Sequence, residues 1–199
     1  MTDPWEKFIE GSLVEKFNEG FRSTAPKPPE EVVAPARNAE STAFEKFFGL
    51  SPSMPQQSSG RKVTHDFVVN GLVERGLPRN IAEGFALNIA EESGFDPGIN
   101  EIEPLVPGSR GGFGLIQSTG LRRDQLEAAA RARGVDPADP EFQLDRIVEE
   151  LKTTERRAAE KIFAANTVGE AATAVVNDFL RPAEENRARR VAKFQSLGF

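Results

Sequence analysis

Past Arg61 the apolar residues of this chain recur three and four positions apart, segment after segment, as amphipathic helices require. In THDFVVNGLVERG (Thr64–Gly76), Val68 and Leu72 stand four apart, as do Val69 and Val73, and the run ends at glycine. PRNIAEGFALNIAEESG (Pro78–Gly94) opens on a proline suited to a first helical turn and closes on Gly94. LRRDQLEAAARARG (Leu121–Gly134) makes a third helix, again closed by glycine. A fourth starts at the Asp139-Pro140 cap, sets Leu144, Ile147, Val148 and Leu151 on one stripe, and is expected to run to about Ala164. TVGE (Thr167–Glu170) has the form of a capping box, with Val168, Ala172, Val175 and Phe179 lining the helix behind it. Pro182 stops that helix, and a last amphipathic one runs toward Leu197. The strict alternation of a strand is missing throughout, save for a candidate short hairpin within Ile99–Gly114. The predicted class is mainly α.

Residues 1–60 have a different character. STAPKPPEEVVAPARNAES (Ser23–Ser41) is rich in Pro, Ala and Glu, and SPSMPQQSSG (Ser51–Gly60) is polar and rich in Pro and Ser. Neither buries enough apolar surface to offset chain entropy, so an extended or disordered arm is expected over 1–60, with the helical domain over 61–199. Within that arm, WEKFIEG (Trp5–Gly11), VEKFNEG (Val14–Gly20) and FEKFFGL (Phe44–Leu50) repeat an apolar-Glu-Lys-Phe core. Chance helical turns would account for the repeat. Docking segments account for it better, because they also explain Trp5, Phe8, Phe17, Phe21, Phe44, Phe47 and Phe48 in a segment without a core.

Composition then removes whole classes of chemistry. Of the 199 residues 38% are hydrophobic and 28% charged, and no apolar run approaches the roughly 18 residues of a membrane span. The chain has no cysteine and a single histidine, His65, which removes disulfides, thiolate nucleophiles and sites needing two imidazoles. His65, beside Asp66 in a first helical turn, suits a capping or surface role better than a triad. Net charge is −6, so nothing pulls the whole chain toward nucleic acid. GSRGGFG (Gly108–Gly114) is not a phosphate loop, since no Lys-Ser/Thr follows and no strand precedes it. No metal site and no cofactor are indicated. Hydrolytic chemistry here has to rest on carboxylates, hydroxyls and amides.

Two adjacent glutamates near the end of the second helix then stand out. Ile81, Phe85 and Ile89 are four apart, and Glu92 follows Ile89 by three, which keeps it on the apolar stripe. Glu91 lies about 100° round the helix, in line with Gly84 and Leu87. Loss of hydration and the negative end of the helix dipole both favour the uncharged acid, the form that can protonate a leaving glycosidic oxygen. Solvated charges beside a loop are the commoner meaning of such a pair. Asp96, Glu101, Glu103 and Asp124 are candidates for a second carboxylate, which retaining chemistry needs about 5 Å from the first and inverting chemistry farther away. Glu101 and Glu103 lie in the loop that would face the groove, where either could steady a water or an oxocarbenium-like charge. The basic tail helix, with Arg181, Arg187, Arg189, Arg190 and Lys193, could meet an anionic polymer or form a solvated face balanced by Glu184 and Glu185.

ALNIAEESGFDPGIN followed by GGFGLIQSTGLRR resembles the phage tail lysozyme family, of the wider goose-type lysozyme and lytic transglycosylase group. The likeness continues through FQLDRIVEEL (Phe142–Leu151), TVGEAATAVVNDFLRP (Thr167–Pro182) and the closing arginine-rich helix, and the arm lies outside it. The resemblance implies a lysozyme-like helical domain with a small hairpin or loop beside an active-site cleft. It implies peptidoglycan as substrate and Glu92 as the general acid at the bond between N-acetylmuramic acid and N-acetylglucosamine. Ser93 would steady the helix end, Gly94 would take the left-handed conformation that stops it, and Gly112 and Gly114 would let backbone approach the sugar. Gln117 would offer its amide to acetamido groups, and Arg122 and Arg123 would reach substrate. Ser118 stands where the family usually has tryptophan, so the stacking surface is either missing or supplied by Phe113; the chain also lacks tyrosine. Either water or the sugar's own hydroxyl, forming a 1,6-anhydro product, could complete the cut. On this reading the protein is virion-borne, in a tail or internal core. Residues 1–60 would dock to a virion structural protein through Trp5, Phe8, Phe17, Phe44 and Phe47, and the enzyme would act in the bacterial wall. A structural or ejection protein with a non-catalytic domain is the alternative.

Overall fold

A computed structural model describes residues 56–57, 62–102, 104, 106 and 108–196. Among these, seven α-helices follow one another: α1 (His65–Glu74), α2 (Arg79–Ser93), α3 (Gly120–Arg133), α4 (Pro140–Lys152), α5 (Arg156–Phe163), α6 (Val168–Ala174) and α7 (Glu184–Gln195). A π-helical stretch, Val175–Leu180, continues α6 directly. No helix of the described residues is long and apolar enough to cross a membrane.

Local chemistry sets several of the helix ends. The hydroxyl of Thr64 and the carboxylate of Asp139 accept the N–H groups of Phe67 and Phe142, three residues into α1 and α4. The capping box of α6 forms with a shift: Thr167 accepts from Glu170 N–H, whereas the Glu170 carboxylate accepts from Asn166 N–H. Gly94 and Gly134 stop α2 and α3 in the left-handed conformation.

The fourth predicted helix proves to be two, α4 and α5, rather than one run to Ala164. Thr153 donates its hydroxyl to Glu149 C=O at 2.7 Å, and both Thr153 N–H and Glu155 N–H turn to the carbonyl of Glu150. The break comes where the Thr153 hydroxyl takes a backbone carbonyl of the preceding turn.

α2 is the central strut. It packs against α1, α6 and the π-helical stretch, burying Ile81, Phe85 and Ile89. Gly84 permits the close approach of α6, since a β-carbon there would fall 2.8 Å from both the Ala171 methyl and the Ala172 nitrogen. Asn88 fastens the same seam by donating to Gly84 C=O at 2.9 Å and to Ala172 C=O at 3.0 Å. Phe85 and Phe179 meet edge to face at 5.3 Å.

The hairpin expected within Ile99–Gly114 is present in compact form. Glu101 N–H donates to Gly112 C=O and Gly114 N–H to Ile99 C=O, at 2.9 and 3.0 Å. Strand β2 (Asn100–Glu101) also pairs antiparallel with β1 (Gln56–Gln57), which comes from the segment assigned to the arm. The other residues of that arm lie outside the described residues, apart from that pair.

Candidate active site

Glu91 and Glu92 occupy the last turn of α2, and neither is an open solvated charge. The Glu92 side chain is 13% accessible, and the Arg190 guanidinium of α7, itself 7% accessible, donates to its Oε1. Lys193 Nζ donates to Glu91 Oε1 at 2.6 Å, and Arg189 donates to Glu91 Oε2 at 3.2 Å. Burial alone would push the Glu91 carboxyl up, yet the hydrogen bond and charge of Lys193, with Arg189 behind it, hold it below the ordinary range. The basic tail helix therefore turns three of its cations inward onto α2. Ser93 is buried and donates its hydroxyl to Ile89 C=O at 3.1 Å, tying the helix end from within.

After α2 the chain turns tightly through Phe95, a non-glycine residue at φ 65, and Asp96. Asp96 is fully buried and accepts Gly98 N–H at 2.9 Å. Asp124, another candidate second carboxylate, is paired at 2.5 Å with Arg110. Glu101, in β2, faces the glycine-rich loop, and its Oε2 accepts Gly112 N–H at 2.9 Å. Glu103 lies outside the described residues, as do Trp5, Phe8, Phe17, Phe44 and Phe47.

The loop from Gly111 to Ser118 is fastened on several sides. Gln117 adopts φ 47, an uncommon conformation for a side-chain-bearing residue, and donates its amide to Gly114 C=O at 2.9 Å. A β-carbon at Gly112 would fall 2.7 Å from Gln117 Oε1, so this glycine makes room for that amide. Gly114, at φ 78, lies against the Gln143 side chain, 2.6 Å from where its β-carbon would be. Gln143 accepts Leu115 N–H at 2.8 Å and donates at 2.7 Å to the carbonyls of Pro97 and Pro137.

The remaining selected residues divide between the loop and the helical core. Arg123 donates to the carbonyls of Arg110 and Gly111 at 2.6 and 3.1 Å and lies 5.2 Å from the Phe113 ring centroid. Phe113 also packs against the buried cluster of Leu126, Ala130 and Phe142. Arg122 is engaged inside the fold: it donates to Glu150 Oε2 at 2.7 Å and to Phe179 C=O at 3.3 Å, and lies 4.2 Å over the Phe179 ring. Ser118 is buried, and its hydroxyl has no hydrogen-bond partner.

The family model of phage tail lysozyme matches residues 64–196. The chain belongs to the phage tail lysozyme family. The match spans all seven α-helices, so family membership and mainly helical fold concern the same residues. No curated protein matches the chain. What the family brings is a lysozyme-like domain, of the kind that degrades peptidoglycan.

Gln143 and Arg190 were missed as site-supporting residues in the sequence reading. Gln143 lies within FQLDRIVEEL, one of the segments that carried the resemblance, which was the available signal. Arg190 gave only its charge. Its partner is 98 positions away, beyond any local pattern. A hollow of about 630 Å³ opens elsewhere, beside α5 and the π-helical stretch, lined by Glu155, Arg156, Arg157, Lys161, Asp178 and Arg181. Arg181 and Glu155 pair at 2.7 Å across it, Lys161 also pairs with Asp178, and its lining includes none of the candidate site residues. No group of three or more His, Asp or Glu side chains is gathered as a metal site among the described residues.

Proposed function

We propose that this protein is a virion-associated muramidase that cuts the bond from N-acetylmuramic acid to N-acetylglucosamine, with Glu92 as the general acid. The observation that carries the reading is the largely buried carboxyl at the capped end of α2, inside the region matched by the family. As general acid, Glu92 passes a proton to the glycosidic oxygen as the bond to the sugar C1 breaks. The oxocarbenium-like centre is then captured by water or by the sugar's own 6-hydroxyl. Glu101, in β2 and bound to Gly112 N–H of the glycine-rich loop, would steady that charge or a water. Phe113, Gln117 and Arg123 would present the loop to the glycan.

Residues 1–60 would tether the enzyme to a structural protein of a tail or internal core, so that the wall is opened during genome delivery. The arm on its own is expected to retain such a protein from disrupted particles. Replacing Trp5, Phe8, Phe17, Phe44 and Phe47 by alanine is expected to abolish retention; equal retention by both arms would refute docking through these aromatics.

Turbidity clearing of purified cell wall tests the enzymatic reading. Glu92→Gln is expected to lower the rate by about 100-fold or more, as loss of a general acid does. Equal clearing by both proteins would remove Glu92 from the mechanism. The buried Ser118, standing where the family has an aromatic, favours a second reading: a structural or ejection component whose domain binds without cutting. Failure of the wild-type protein to clear wall would support that alternative.

A further inference from the structure

We propose that Arg190 is the positioning residue of Glu92, holding the carboxyl in one orientation and lying beside the negative charge left on it after proton transfer. The inference rests on the reading of Glu92 as the acid. When the Glu92 proton moves to the glycosidic oxygen, the electrons of the breaking C1–O bond go to that oxygen. The O–H pair stays on Glu92, which becomes an anion. Arg190 is cationic before and after and gives up no proton; it supplies a fixed opposite charge where charge develops.

Three observations separate this from simple helix docking. First, the docking of α7 has other anchors: Lys193 and Arg189 on Glu91, and the fully buried Phe194. Second, the cations on Glu91 remain partly open to solvent, at 25% and 46% accessible, whereas Arg190 is almost fully withdrawn from it. Third, Arg190 Nε is buried without a hydrogen-bond partner. A buried, incompletely paired guanidinium is a costly way to fasten a helix, and an apolar contact of similar volume would do it better. The arrangement makes sense if the cation serves the one carboxyl it touches.

The test uses the full chain on purified peptidoglycan, with kcat, KM and Tm measured for wild type, Glu92→Gln, Arg190→Gln, Arg190→Lys and Arg189→Gln. Arg190→Gln is expected to lower kcat by about 100-fold, as misplacement of a reacting group does, with KM changed less than about twofold. Arg190→Lys keeps the charge and is expected to recover about a tenth of the wild-type kcat, short of full activity. Arg189→Gln breaks a contact of the same helix to Glu91 and reports docking alone; its kcat loss is expected to be at least about tenfold smaller. The proposal is overturned if Arg190→Gln keeps the wild-type kcat, or if its loss merely tracks Tm and equals that of Arg189→Gln. Should Arg190→Gln fail to fold, Arg190→Lys decides: it must lose kcat at unchanged KM and Tm, and wild-type kinetics would overturn the proposal. An active wild type with an inactive Glu92→Gln and a normal Arg190→Gln refutes the positioning role alone. An inactive wild type removes both it and the muramidase reading.

Discussion

Glu91 and Glu92 differ by one position, and helix geometry predicts Glu92 on the apolar stripe with Glu91 about 100° round from it. The structure instead withdraws both from solvent, because α7 lays Arg189, Arg190 and Lys193 across the end of α2. The apolar stripe through Ile81, Phe85 and Ile89 was legible in the sequence, since it is a local pattern. The cationic cover was not, since tertiary packing alone brings residues 98 and 102 positions apart into contact. For Glu91 this has a measurable consequence. Burial opposes its ionisation, but Lys193 and Arg189 outweigh burial, so its folded pKa lies below the unfolded value. The stabilisation is complete above the ordinary carboxylate pKa of about 4.3 and fades as pH falls through the depressed value. Glu91→Gln is therefore expected to lose about 2 kcal/mol at neutral pH, as charged hydrogen bonds of this kind contribute. Urea unfolding at a series of pH values should show the gap to wild type narrowing in acid; a constant gap would contradict the ion-pair account.

At the scale of elements, the legible parts are those set by a residue's immediate neighbours. Thr64, Asp139, Gly94 and Gly134 mark helix ends where their side chains or left-handed backbone act. Two features escaped. The break after Lys152 depends on threonine hydroxyl and backbone competition that apolar periodicity does not register. The π-helical stretch Val175–Leu180 retains a plausible α-helical stripe, and its geometry accompanies packing of Phe179 between Phe85 and Arg122. The glycine-rich loop depends in turn on α4, because Gln143 ties Leu115, Pro97 and Pro137 together. Gln143→Leu is expected to leave the Leu115 N–H unpaired and to cost about 1–3 kcal/mol. Hydrogen exchange should accelerate at Leu115 and its neighbours more than along α6; uniform acceleration would show that Gln143 supports the whole fold rather than the loop.

For the whole molecule, composition separates a Pro-rich arm from a helical domain, and the family match follows the helical part. The domain's fold was legible because its segments keep their order along the chain. How the residues after the glycine-rich loop are engaged within the fold was less so. Arg122 and Arg123 are adjacent in sequence, yet one is engaged with Glu150 and Phe179 while the other braces the carbonyls of Arg110 and Gly111. Spacing cannot distinguish them, since their different partners come from distant helices and loops. The central claim, that Glu92 protonates the glycosidic oxygen on N-acetylmuramic acid, is tested most directly by mass analysis of fragments released from purified peptidoglycan. The account predicts new muramic acid ends, reducing or 1,6-anhydro, from the wild-type protein and none above background from Glu92→Gln. Cleaved peptide stems, N-acetylglucosamine reducing ends, or the same muramic acid ends from Glu92→Gln would contradict it.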